Sequence, residues 1–143
     1  MSKIITKKMI EDYQELGVVY IPNLFKKHVS NLKKGIEFNL NNPGPYAAEN
    51  LRKKENGRFF DDYCNWERIP EFRKTIFDNE IIVAAAKLMQ SQSVQLFHDH
   101  VLVKEPGTSK DTPWHSDGPY YFINGKKTIS FWVPLDPVKE ASL

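Results

Sequence analysis

A chain of 143 residues that is 41% hydrophobic and 13% aromatic can bury the core of one domain, which excludes a disordered polypeptide. Charged residues make up 27% but nearly cancel to a net +2, and no basic stripe is interleaved with aromatics, so neither the charge nor its pattern points to nucleic acid. The single cysteine, Cys64, excludes an intrachain disulfide and fits a reducing compartment.

The opening MSKIITKKMI has no long apolar run before a small-residue cleavage site, and no stretch is long enough to span a bilayer. The expectation is a cytoplasmic protein with no membrane partner. Thr6 is placed to cap a helix that runs to about Leu16 and stops at Gly17. Ile5, Met9, Tyr13 and Leu16 give that helix its apolar stripe. GVVYIPNLF then reads as a short strand ended by Pro22-Asn23. A second helix is predicted over residues 27–40, with Val29, Leu32, Ile36 and Leu40 on one face. NNPGPYAAEN breaks regular structure, and a long polar loop dotted with aromatics is expected to reach about Pro70. Helical spacing returns over 71–90 as two short helices meeting near Asp78-Asn79.

From Ser93 the pattern becomes strand-like. In VQLFHDHVLVK both faces carry apolar residues, with His98, His100 and Lys104 on one of them. Asn124-Gly125 suits a tight hairpin turn. Beyond it Ile129, Phe131, Val133 and Leu135 form an apolar face, while Thr128, Ser130 and Trp132 form a second face suited to a cavity. Helices first and about four or five strands last predict an α+β fold. The closing PLDPVKEASL resembles neither a final strand nor a capping helix, so a truncated domain is expected.

The chemistry concentrates in TPWHSDGPYY, where His115 and Asp117 stand two apart. On an extended backbone, residues i and i+2 project to the same side. An imidazole nitrogen and a carboxylate oxygen near one point are two corners of the facial triad that holds non-haem iron(II). A polar turn without a metal explains the same pair, and the spacing alone does not choose.

The stretch KEPGTSKDTPWHSDGPYY, with FHDHVLV before it and ISFWVPLD after it, resembles the phytanoyl-CoA dioxygenase family. These are iron(II)- and 2-oxoglutarate-dependent oxygenases built on a double-stranded β-helix, or jelly roll. Ectoine hydroxylase, of the same group, has a similar W-H-x-D segment. The resemblance covers most of the chain and is strongest over residues 96–136, and the opening helix, GVVYIPNLF and second helix are similar to the family's N-terminal part. It implies N-terminal helices packed on a partial jelly roll, with residues 1–143 as the N-terminal part of a longer oxygenase domain.

By this resemblance His115 and Asp117 are the first two iron ligands. Trp132 lies beside the 2-oxoglutarate, in agreement with its place on the cavity face, and His100 touches the same pocket. Lys104 is the lysine of the K-x-P-G segment, facing the pocket or solvated at a strand end. Tyr121 takes the place of an aromatic residue near the substrate. The implied activity is hydroxylation of a small organic molecule, and a carboxylate at Asp117 rather than a small residue favours hydroxylation over halogenation. Tyr46, Phe59, Phe60, Tyr63, Tyr120 and Tyr121 are the aromatic residues available to a substrate pocket. The family's third ligand, a downstream histidine, and the arginine that anchors 2-oxoglutarate have no counterpart in this sequence. A homodimer that pairs open strands is the partnership such a sheet invites. The alternative is a non-catalytic, cupin-like jelly-roll module that binds a small molecule without iron.

Overall fold

The computed structural model describes residues 4–50, 56–108, 112–125 and 127–138. Part of the expected loop (51–55) and the last five positions, where no closing strand is expected, lie outside the described residues.

Helix α1 spans Lys7–Leu16. Thr6 is extended and accepts from the Met9 amide at 3.2 Å, and Gly17, at φ 74°, returns its amide to the Tyr13 carbonyl at 3.0 Å. Both ends are therefore set locally, by a hydroxyl cap and a residue free to turn left-handed. Met9, Ile10 and Tyr13 lean on a core of Ile5, Leu24, Ile81, Ala84 and Leu88.

GVVYIPNLF is not a strand. Val18 and Tyr20 are exposed, residues 22–25 form a turn, and Asn23 takes a φ of 64°. The β-branched residues favour extension, but among the described residues no neighbouring strand supplies hydrogen bonds there.

Helix α2 covers Val29–Asn41 after a single 3₁₀ turn at Lys26–His28. Leu32, Ile36 and Leu40 face a second core built from Phe60, Ile69, Phe72 and Val101. Gly35 sits where α2 meets Phe72, and a Cβ there would fall 2.5 Å from one ring carbon and 2.9 Å from the next. Gly35→Val is expected to lower stability by about 2 kcal/mol, read as a lower urea midpoint with an unchanged slope. An unchanged midpoint would mean that Phe72 has room to move.

Helices α3 (Pro70–Ile76) and α4 (Asn79–Leu88) meet at the predicted break, where the Asp78 carboxylate accepts from the Glu80 amide at 2.9 Å.

The sheet is antiparallel, in the order β1 (Ala48–Glu49), β2 (Phe59–Tyr63), β3 (His100–Lys104). The expected loop before Pro70 thus contains two strands, and the strand expected from Ser93 narrows to His100–Lys104. Phe60 pairs with Val103 and Asp62 with Val101, and these residues turn toward α2 and α3. Asp61, Tyr63, His100, Leu102 and Lys104 occupy the opposite, open face.

Asp62 fastens this layer. It is fully buried and accepts from Asn39 Nδ2 at 2.8 Å, the Gly44 amide at 2.7 Å and the Tyr63 amide at 2.9 Å, with Arg68 Nη2 3.5 Å away. Burial alone would raise the carboxyl pKa, but hydrogen bonds from Asn39, Gly44, Asn65 and Tyr63 outweigh it and hold the group below its ordinary value.

Residues 129–135 keep the predicted alternation in their burial, although they join no ladder among the described residues. Ile129 and Phe131 pack on the first core, with the Phe131 ring 5.4 Å from that of Phe25. Among the described residues, no strands pair across Asn124-Gly125. The fold is α+β, with three strands among the described residues rather than four or five.

Candidate active site

His115 lies on an irregular segment that enters a short 3₁₀ turn at Gly118–Tyr120 just after Asp117. Its Nδ1 is 2.7 Å from the Pro113 carbonyl oxygen. A carbonyl only accepts, so Nδ1 carries a proton, and in the neutral ring the lone pair is on Nε2. That lone pair faces Asp117 Oδ1 at 3.4 Å. Two acceptors facing one another repel unless a cation, a proton or a metal ion, lies between them. Two donors at right angles, each about 2.1 Å from one octahedral ion, stand about 3.0 Å apart. The pair therefore fits a divalent ion with a small adjustment.

The other carboxylate oxygen is already engaged. Tyr121 Oη lies 3.2 Å from Asp117 Oδ2, Ser130 Oγ lies 3.0 Å from Tyr121 Oη, and Ser130 Oγ is 3.5 Å from the same Oδ2. Asp117, Tyr121, Ser130 and Trp132 line one open cleft of about 370 Å³, together with Tyr13 and Thr128. The alternation over 128–132 thus delivers Thr128, Ser130 and Trp132 to the same side as Asp117. Tyr13, read from sequence as part of a core stripe, also reaches the cleft and donates its hydroxyl to the Thr128 carbonyl at 2.8 Å. Its position depends on a contact across 115 residues, which no local pattern contains.

His100 lies on the open face of the sheet, stacked on its cross-strand partner Tyr63 with ring centroids 3.9 Å apart. Lost hydration lowers its pKa below the ordinary histidine value, the neighbouring His98 adds to this, and Asp61, Asp99 and Asp117 act the other way. His98 packs edge-on to Tyr63 and Tyr121, and its Nδ1 is buried without a hydrogen-bond partner among the described residues. Lys104 occupies the same face as His100, its amine 5.5 Å from the Phe59 ring centre. Of the aromatic residues available to a pocket, Phe59 and Phe60 are buried and therefore withdrawn from it. Trp114 is fully exposed beside His115. Cys64 has its pKa raised by lost hydration and by Asp99 and Asp62, the reverse of what a thiolate nucleophile needs.

The structure brings Asp117, Tyr121 and Trp132 together around one cleft, sets His115 against Asp117 without its lining that cleft, and places His100 and Lys104 on the open sheet face. No third His, Cys, Asp or Glu completes a metal cluster among the described residues. No helix of the described residues is long and apolar enough to cross a membrane.

No curated protein and no solved structure matches the chain. The family model described as phytanoyl-CoA dioxygenase matches residues 13–142, nearly the whole length and including every residue just placed around the cleft and on the sheet face. The chain belongs to the phytanoyl-CoA dioxygenase family.

Proposed function

We propose that this chain carries the iron(II)- and 2-oxoglutarate-binding part of a dioxygenase that hydroxylates a small organic substrate. The observation that carries this reading is the convergence of the His115 Nε2 lone pair and Asp117 Oδ1 at 3.4 Å beside a cleft lined by Ser130 and Trp132. Membership of the family supports the reaction class.

His115 and Asp117 would hold the iron. When bound, iron(II) with 2-oxoglutarate supplies dioxygen activation: one oxygen atom leaves in succinate as carbon dioxide is released, and the other becomes the product hydroxyl. The protein's part is to position and shield the reactants. Trp132 walls the cleft beside Asp117 and would lie against the co-substrate. His100, whose depressed pKa favours the uncharged ring, would offer it a neutral partner, and Lys104 would offer the open face a cation for a carboxylate. Tyr121 and Tyr120 flank the metal pair where a substrate would approach. In this reading the open sheet face is the inside of a jelly roll. Residues 1–143 are then the N-terminal part of a longer oxygenase domain, with the third ligand and the anchoring arginine outside them.

The test is an anaerobic titration with Fe(II), with and without 2-oxoglutarate. A visible charge-transfer band that needs both supports the proposal. Continued absence of the band, after the chain is extended through the further strands of the domain, overturns it.

A further inference from the structure

We propose that Tyr121 and Ser130 are positioning residues that fix which oxygen of Asp117 is presented to the metal. The inference rests on the metal reading above and assigns two side chains a task within it.

Three close approaches link Asp117, Tyr121 and Ser130, but only two hydroxyl protons are available to fill them. The shorter contacts decide the assignment. Ser130 donates to Tyr121 Oη at 3.0 Å, and Tyr121 donates to Asp117 Oδ2 at 3.2 Å. The 3.5 Å separation of Ser130 from Oδ2 is then a weak contact held in reserve. The relay occupies Oδ2 and leaves Oδ1 turned toward His115 Nε2. A carboxylate so held meets an ion through one oxygen rather than two.

The arrangement needs a tether because Asp117 has little else to hold it. Its side chain is about half exposed, on a segment with no ladder bonds. Tyr121, by contrast, is fixed by rings on its other side: Phe97 at 5.3 Å and His98 at 5.7 Å between centroids. Order therefore passes from the aromatic group beside the sheet, through one phenol, to the ligand. The Pro113 carbonyl does the same for His115 by fixing its tautomer. Partners of this kind typically change metal affinity by about 10–100-fold.

The experiment is an anaerobic titration with Co(II) alone, following the ligand-field absorption of the wild type and of Tyr121→Phe, Ser130→Ala, Ser130→Thr and His115→Ala, with thermal unfolding measured for each. The inference expects about tenfold weaker Co(II) binding and an altered band shape in Tyr121→Phe, at an unchanged melting temperature. Ser130→Ala should lose less, because Tyr121 keeps its bond to Asp117, and Ser130→Thr should restore the wild-type value. The double variant Tyr121→Phe/Ser130→Ala should lose more than the two single losses combined, since Ser130 can no longer swing to Asp117. Wild-type affinity and band shape in both Tyr121→Phe and the double variant, with His115→Ala failing to bind, would overturn this inference and leave the metal reading standing. A wild type that takes up no Co(II) even when extended through the further strands of the domain, or a His115→Ala variant that binds it normally, overturns the metal reading and this inference with it.

Discussion

Asp117→Ala is expected to remove the charge-transfer band formed with iron(II) and 2-oxoglutarate, and turnover with it. The substitution takes away the only anionic donor that faces His115 Nε2 among the described residues and leaves one neutral imidazole to hold a divalent ion. It also frees Tyr121 and Ser130, which then bond to each other or to water. Loss of a direct ligand should exceed the 10–100-fold typical of its supporting partners, so iron affinity should fall by about 100-fold or more. Asp117→Glu should rescue little, because the extra methylene carries the carboxylate past the Tyr121 hydroxyl. The measurement is iron affinity by the anaerobic band, beside succinate formation in the extended enzyme. A band of normal affinity in Asp117→Ala would remove this residue from the metal site.

Asp62→Ala is expected to cost about 3–5 kcal/mol of folding stability, because it leaves buried donors and a nearby Arg68 without their anion. A domain of this size has about 5–15 kcal/mol in total, so the variant should be marginal or unfolded at room temperature. Asp62→Asn keeps one acceptor but turns an amide N–H₂ toward groups that are themselves donors, and should recover only part of the loss. The pH dependence has a definite sign. Since the folded pKa lies below the unfolded one, the contribution is complete above the ordinary carboxylate value, about 3.9, and is lost as pH falls through the lower folded value. Urea midpoints between pH 7 and 3 would show a steeper acid decline in the wild type than in Asp62→Asn. Parallel declines would mean that other carboxylates carry the acid sensitivity.

Elements whose causes are local were legible in the sequence. Thr6, Gly17 and Asp78 act on backbone groups within four residues, and the helices begin and end at those residues. Strand β2 was not legible, because Phe59 and Phe60 are both buried and period-two alternation disappears when adjacent residues are covered on both faces. GVVYIPNLF failed for the opposite reason: its composition is strand-like, but a strand needs a neighbour. At the site, the face shared by Ser130 and Trp132 could be read from spacing, whereas His115 and Asp117 lie 3.4 Å apart on an irregular segment with Asp117 in a helical conformation, not on the expected extended backbone. The tether from Tyr121 to both Asp117 and Ser130 could not, because it closes across an irregular turn whose path no periodicity describes.

The two cores also differ in when the chain can complete them. Every member of the core beneath the sheet lies between Leu32 and Val103, so this half has all its parts before the segment carrying His115 and Asp117 has been synthesised. The other core joins Ile4 and Ile5 to Ile129 and Phe131, and Tyr13 waits for the Thr128 carbonyl. Of the described elements, α1 is synthesised first and is among the last to be finished. Tyr13 and Gly17 wall the cleft beside Asp117 only with that docking, so the half that carries the cleft is completed after the Asp62-fastened half has a scaffold to offer it.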